Sequence, residues 1–268
     1  MGTGPRVARA ALHYWEEPCI SGEEGSGAIF FSGCTLRCVY CQNYEISKKN
    51  FGKTISINQL CDIYKRLEEQ GANNINLVNP THFVDAIIES FEIYKPSVPV
   101  VYNSGGYESV ETLKRLDGLI DVYLPDLKYA DDEKAKRYSY APDYFEVATK
   151  AIVEMAKQTG PPKLDNRGII KKGTIVRHLV LPENTKNSES VLRWLSDNLS
   201  GKVLISLMGQ YTPFGNANQY KELNRKITRR EYNKLQNLLF SLDIDGFVQD
   251  LSSAQSEYIP DFNLEGIS

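Results

Sequence analysis

The sequence lacks any long apolar run. No stretch approaches the ~20 residues that a helix needs to cross a bilayer. Residues 1–30 also lack the continuous apolar segment of a secretory signal peptide. These absences argue against a membrane partner and against secretion, so we expect a protein of the cytoplasm.

An excess of positive charge is missing as well. The chain has 31 basic and 34 acidic residues, which leaves a formal net charge of −3, and its pI is about 5.8. Nucleic-acid-binding domains usually carry a basic patch and a high pI. We therefore expect no nucleic-acid partner. Repeats, low-complexity tracts and linker-like segments are absent too, which favours a single domain.

Cysteine is scarce and unevenly distributed. There are five cysteines, and three of them fall within eight positions, at Cys34, Cys38 and Cys41. An odd number with this crowding argues against a disulfide framework and predicts reduced thiols. We expect the isolated Cys19 and Cys61 to be buried and to pack as small apolar side chains.

What the sequence does contain is a regular alternation of strand-like and helix-like segments. Repeated βα units build a parallel sheet, either open or curled into a barrel, so the fold class is α/β. In such a barrel the functional groups lie at the carboxyl ends of the strands. The predicted strands are 28–31, 74–78, 98–103, 120–127, 173–181, 202–208 and 246–249, and the predicted helices are 55–70, 84–94, 108–116, 143–160, 188–199 and 228–242.

The three clustered cysteines directly follow the first predicted strand, so we place them on the functional face. A structural zinc site closes with four ligands, and a [4Fe–4S] cluster normally takes four thiolates. Three thiolates leave one iron open to a ligand other than protein. Tyr40, just before Cys41, could shield one face of such a cluster. A closed Cys3His zinc site in a non-catalytic interaction module, with His82 or His13 as fourth ligand, is the alternative.

The segment "CTLRCVYC" (34–41) resembles the radical S-adenosylmethionine (SAM) signature. The resemblance extends over residues 8–47 and beyond, to a short subgroup similar to pyruvate formate-lyase activating enzymes. It implies a partial (β/α)6 TIM-type barrel, a [4Fe–4S] cluster on Cys34, Cys38 and Cys41, and SAM on the open iron. We divide the single domain into an N-terminal extension packed on the barrel (1–26), a core (27–210) and a C-terminal helix and strand (211–268).

Further SAM contacts are implied at the ends of the next strands. The family's Gly-Gly-Glu motif is replaced here by "NLVNPTHF" (76–83), where Asn79 and Thr81 are candidates. Pro80 and Thr81 could instead simply begin the next helix. In "VYNSGGYES" (101–109) the candidates are Asn103 and Ser104, although an ordinary turn would look the same.

Three charged residues are our catalytic candidates. Asp126 and Lys128 match the Asp-x-Lys of activating enzymes, and their spacing directs both side chains to one side of a strand. Arg177 is a predicted partner for the methionyl carboxylate of SAM or for Asp126. A solvated ion pair is the alternative for Asp126 and Lys128. Gln210 is expected to face the barrel mouth, and His178 either contributes to the site or packs, neutral, between barrel and helix.

The resemblance implies reductive SAM cleavage and hydrogen abstraction from a protein or peptide, such as a glycyl-radical enzyme. A flavodoxin- or ferredoxin-type protein would be the electron donor. Residues 42–55 contain no cysteine, so a single cluster is expected. A radical SAM enzyme acting on a small molecule or a modified peptide remains an alternative.

Overall fold

The computed structural model describes residues 4–249 and 260–267, and a continuous sheet dominates it. The C-terminal segment predicted over 211–268 is therefore described only in part, because residues 250–259 and 268 lie outside the described residues. The strands are β1 (Arg6–His13), β2 (Ser26–Phe31), β3 (Lys53–Thr54), β4 (Ile75–Val78), β5 (Val100–Ser104), β6 (Val122–Pro125), β7 (Lys163–Leu164), β8 (Ile170–Leu179), β9 (Leu204–Met208) and β10 (Gly246–Val248).

Helices follow most of the parallel strands. The predicted Ser56 cap is present, since its hydroxyl accepts a hydrogen bond from the Gln59 amide and forms a capping box. The helices are α1 (Pro18–Ser21), α2 (Tyr44–Ser47), α3 (Ile57–Glu69), α4 (Val84–Ile93), α5 (Val110–Arg115), α6 (Asp132–Ser139), α7 (Tyr144–Thr159), α8 (Thr185–Leu199) and α9 (Arg229–Ser241), with short 3-10 turns at Thr81–Phe83 and Ala217–Gln219.

The parallel strands pair in chain order. β2, β4, β5, β6, β8, β9 and β10 are successive neighbours, and each pair is parallel. An order without reversal keeps every right-handed crossover on the same face, so the helices cover one side and the sheet curls around the other. This is the predicted partial barrel, and each predicted strand is present.

One edge of the sheet was not predicted. β1 pairs antiparallel with β2, and β3 pairs antiparallel with β1. At the opposite end, β10 pairs with β9 alone among the described strands. The domain boundaries given above remain a prediction, but the first residues do more than lie on the barrel, because they extend its sheet.

The interior of the barrel is filled from the N-terminal side. Cys19 and Ile20 of α1 pack against Val101, Val122 and Ile175, which point inward from three strands. Cys19 and Cys61 are both buried and free, as predicted. α1 and the residues just before it thus plug the barrel, with the apolar layer of Cys19 and Ile20 below and Glu16 above. Among the described residues, no helix combines the length and apolar character required to cross a bilayer.

Candidate active site

The cysteine segment forms a loop between β2 and α2 at the carboxyl ends of the strands. Cys34, Cys38 and Cys41 all line one cleft there. Two hydroxyl groups contact the sulfurs: Ser139 Oγ lies 3.0 Å from Cys38 Sγ, and Ser47 Oγ lies 3.2 Å from Cys41 Sγ. The loop therefore presents three reduced sulfurs to a single cavity, two of them with hydroxyl partners.

Two of the three thiols, Cys34 and Cys41, ionise poorly without a positive partner. Burial, together with the neighbouring thiols, raises the pKa of Cys34 to about 12. Burial also raises the pKa of Cys41. Within the described ranges, no three His, Cys, Asp or Glu side chains converge around a single ion position. A cubane suits this spacing, because each thiolate binds a different iron and the cluster supplies the positive charge.

Tyr40 is joined to the loop by a chain of hydroxyl groups. Its hydroxyl lies 2.6 Å from that of Tyr129, which in turn lies 2.8 Å from Ser139 Oγ. Ser139 is the residue that contacts Cys38. Tyr40 is buried and lines the cleft. The side chain predicted to cover the cluster is therefore held in place by its own hydrogen bond to Tyr129.

Charged side chains form the other wall of the cleft. Arg177 Nε donates to Asp126 Oδ1 at 2.9 Å, Nη1 donates to Glu16 Oε2 at 3.2 Å, and Nη2 donates to Asn103 Oδ1 at 2.7 Å. Lys128 pairs with Asp126 on its other side. We call Glu16, Asp126, Lys128 and Arg177 the charged cluster. The guanidinium uses its planar fork to join three elements.

The charges of Asp126, Lys128 and Arg177 hold one another in their ionised forms. Burial alone would raise the pKa of Asp126, but the Arg177 and Lys128 charges outweigh it, so the pKa lies below its usual value. Burial lowers the pKa of Lys128, and Asp126 more than restores it. Burial raises the pKa of Glu16, although Arg177 opposes this. The side chains are 11–19% exposed, so part of each still faces the cleft.

Most of the other predicted contacts reach the same cleft. Asn79, Asn103, Ser104 and Gln210 line it. Thr81 is not among its described lining residues, because its hydroxyl donates to Glu108 at 2.7 Å. The assignment of Thr81 to SAM therefore remains a prediction that no contact with the cleft supports.

His178 points away from the site, opposite to Arg177 on β8. Its Nδ1 lies 2.6 Å from the Leu127 carbonyl oxygen and its Nε2 lies 2.8 Å from Ser188 Oγ on α8. Burial lowers its pKa to about 4. His178 is thus a neutral residue packed between barrel and helix, the second of the two roles considered for it.

Two acidic residues of this region were missed from the sequence. Glu16 completes the charged cluster, and Glu17 lies buried beside it. Both come from the segment before α1, which matches no motif. The available signal was "WEEP" (15–18), two acids between a tryptophan and a proline, in a part of the chain predicted to pack on the barrel.

Comparison with known proteins identifies the family. The profile of the Radical SAM superfamily matches residues 28–195, which is well over half of the chain. The chain belongs to the radical SAM superfamily. Members use a [4Fe–4S] cluster and SAM, and these are the cofactors of this chain. Which residues hold these cofactors remains a prediction. The three-sulfur loop and the charged cluster agree with it.

The individual relatives share between 11% and 32% sequence identity with this chain. An uncharacterized protein of Methanocaldococcus jannaschii, MJ0674, is 32% identical over 245 residues, covering 87% of this chain and 67% of that protein. Streptococcus suis SuiB bound to its precursor peptide SuiA is 11% identical with a TM-score of 0.55, covering 84% of this chain and 49% of SuiB. A radical SAM methyltransferase from Sphaerobacter thermophilus is 14% identical with a TM-score of 0.54, covering 84% of this chain and 66% of the methyltransferase. The chain spans about half of SuiB, and these structures show the shared fold.

Proposed function

We propose that this radical SAM enzyme abstracts hydrogen from a protein or peptide substrate. The proposal depends on one observation: the three-cysteine loop and the charged cluster face each other across one cleft. When bound, the cluster supplies an electron that cleaves SAM to methionine and a 5′-deoxyadenosyl radical. The protein must hold the sulfonium nucleotide in place and keep water from the radical.

The residues of the cleft suit these two tasks. The amino and carboxylate groups of SAM form a zwitterion, and the cleft offers charges of both signs from Asp126, Lys128 and Arg177. Ordered charges that already hold each other need little rearrangement to bind such a group. Apolar side chains complete the wall and exclude water; they include Leu36, Phe30, Val78 and Met208.

A peptide substrate is supported by the open side of the barrel. β10 pairs only with β9 among the described strands, and a second cavity lies beside it that shares Trp15, Glu16 and Gln210 with the cleft. SuiB, which has the same fold, was solved with a precursor peptide. An extended chain entering at this side would reach the cleft without opening the sheet.

The finer assignment is activation of a glycyl-radical enzyme, with a flavodoxin or ferredoxin as electron donor. It is supported by the Asp126-x-Lys128 pattern at the end of β6 and by the absence of further cysteines in residues 42–55.

Anaerobic reconstitution tests the central proposal. We expect about four iron and four sulfide per chain and formation of 5′-deoxyadenosine when SAM and a reductant are added. Stoichiometric zinc and uncut SAM would support the alternative of a non-catalytic zinc-binding module. To find the substrate, host lysate is separated by size and each fraction is tested for increased 5′-deoxyadenosine formation. Stimulation only by small molecules would contradict a protein or peptide substrate.

A further inference from the structure

A second cavity lies between the segment before α1 and the edge strand β10. We call it the side cavity. It meets the cleft of the cysteine loop at Trp15, Glu16 and Gln210, which line both spaces. None of the roles assigned above involves its remaining walls. Those walls include Tyr14, Glu17, Ser206, Phe247 and Gln249.

Three polar atoms of these walls have no hydrogen-bond partner among the described residues. They are Glu17 Oε2, Ser206 Oγ and Gln249 Oε1, and each atom is buried. Glu17 is 3% exposed and Ser206 is fully buried. Leaving a buried polar atom without a partner destabilises the folded state, so native proteins rarely do so without a bound water or ligand. Three such atoms around one cavity therefore indicate a missing partner.

The chemistry of the three atoms restricts what that partner is. The Glu17 carboxylate oxygen and the Gln249 amide oxygen only accept hydrogen bonds, whereas the Ser206 hydroxyl both donates and accepts. Ser206 lies beside Glu17 and helps to lower its pKa. The acceptor atoms Glu17 Oε2 and Gln249 Oε1 therefore require a partner that donates hydrogen bonds. Charge adds a second restriction, because three carboxyl groups, Glu16, Glu17 and Asp126, share the two cations Lys128 and Arg177, and a third cation would allow all three to ionise.

The aromatic residues suit an organic cation. Tyr14, Trp15 and Phe247 line the same cavity, and aromatic faces attract ammonium and guanidinium groups and their alkyl stems. A bare divalent cation such as Ca²⁺ would instead require about six to eight oxygen ligands. Burial raises the pKa of Glu17 to about 7, so an arriving cation would also favour its ionised form.

We propose that the side cavity binds the ammonium or guanidinium group of a lysine- or arginine-type residue in the substrate. The inference rests on the proposed peptide substrate and specifies its class: a chain that carries a cationic side chain close to the position that reacts. Glu17 is the main acceptor, and Ser206 and Gln249 complete the site. Because the side cavity and the cleft share a wall, one bound peptide can occupy both.

Binding to the reconstituted holoenzyme tests this by calorimetry, without relying on turnover. The probes are end-blocked peptides Gly-Gly-X-Gly-Gly in which X is lysine, arginine or norleucine. Norleucine keeps the alkyl stem and lacks the ammonium. We expect the lysine and arginine peptides to bind about tenfold more tightly, or better, than the norleucine peptide, because a hydrogen bond to a charged group is lost. Glu17→Gln should abolish the preference.

A matched control uses the same substitution nearby. Glu24 is exposed and pairs with Arg167, so Glu24→Gln should retain the full preference. Circular dichroism melting establishes that each variant is folded. Should Glu17→Gln fail to fold, Ser206→Ala takes its place, with a smaller expected loss of preference.

Several results would overturn the inference. Equal affinity for all three peptides, including no binding to any of them, would leave ordered water as the partner. A preference that survives in Glu17→Gln would place the cation elsewhere. If n-butylammonium matched the lysine peptide in affinity, the cavity would belong to a free amine. Absence of 5′-deoxyadenosine formation would contradict the proposed function separately, whatever the binding experiment shows.

Discussion

The cysteine loop and the charged cluster face the same cleft but arise from the sequence in different ways. The loop takes its three sulfurs from eight consecutive positions between β2 and α2. The charged cluster combines residues that lie far apart in the chain. Arg177 pairs with Asp126, which is 51 positions away, and with Glu16, which is 161 positions away. One site is local and the other is assembled by the fold.

This difference predicts different consequences of mutation. A change in the loop removes a predicted cluster ligand and should leave the barrel intact, because the loop lies outside the sheet. A change in the charged cluster leaves buried charges without partners, so it should weaken folding as well as binding. Four experiments probe this difference and its surroundings, beginning with the most damaging change.

Loss of a loop cysteine should have the largest effect on activity. Cys38→Ser removes one of three sulfurs, so we expect cluster content to collapse and 5′-deoxyadenosine formation to fall below detection. Iron and sulfide analysis with product chromatography measures both. Cys61→Ser is the matched control, because Cys61 is buried on α3 and its Sγ donates to the Ser90 carbonyl oxygen. Normal cluster content in Cys38→Ser would contradict the assignment.

Loss of Arg177 should have the largest effect on stability. Arg177→Met keeps much of the side-chain volume but leaves Asp126 and Glu16 without their guanidinium partner. We expect the free energy of unfolding to fall by about 3–5 kcal/mol, measured by anaerobic urea denaturation. Arg115→Met, which breaks a pair whose members are 54% and 85% exposed, should cost at most about 1 kcal/mol. Equal losses would remove the contrast between the two sites.

The stability of the folded protein should depend on pH through His178, which lies on the other face of β8. The folded-state pKa of His178 is lowered to about 4 from a normal 6.5, so below pH 6.5 the unfolded chain binds the proton first. The stability that neutral His178 contributes is therefore complete above pH 6.5 and is lost as the pH falls towards 4, by up to about 3 kcal/mol. His178→Gln should flatten this part of the pH profile in urea titrations. Parallel profiles for the two proteins would contradict the assignment.

The smallest expected effect is a change in the reduction potential of the cluster. Ser139→Ala removes the hydroxyl that lies 3.0 Å from Cys38 Sγ. Hydrogen bonds to cluster sulfurs favour the reduced state, so we expect the reduction potential to become more negative by tens of millivolts, corresponding to about 1 kcal/mol. Potentiometric titration followed by electron paramagnetic resonance measures it. Ser190→Ala, on the exposed face of α8, is the control, and an identical shift in both would argue against a specific contact.

Sequence patterns predicted the features that depend on neighbouring residues. The parallel strands were found because each is a short apolar run and most are followed by a helix of 3.6-residue period. The Ser56 cap and the common side of Asp126 and Lys128, directly after β6, follow from equally short spacings. β1 was missed because "RVARAALH" alternates weakly and its pairing with β2 is set by the fold.

Predictions that depend on the three-dimensional arrangement of residues were less reliable. Asn79 and Thr81 are two positions apart, yet one lines the cleft and the other bonds Glu108. Asn79 adopts a left-handed backbone with a φ of 56°, so the chain turns at this point and simple alternation no longer predicts direction. Glu16 and Glu17 were missed because the one signal in their segment, "WEEP" (15–18), matches no motif and is too weak to predict burial inside a barrel.

Short spacings in the sequence were enough to predict the three cluster ligands and the alternation of strands and helices, because both patterns are encoded in neighbouring residues. Only the folded chain shows that Glu16 joins Asp126 at Arg177, that Thr81 bonds Glu108, and where the side cavity lies. Charge pairing and burial depend on distance in space. That distance is set by how the curled sheet places residues far apart in the chain around one interior.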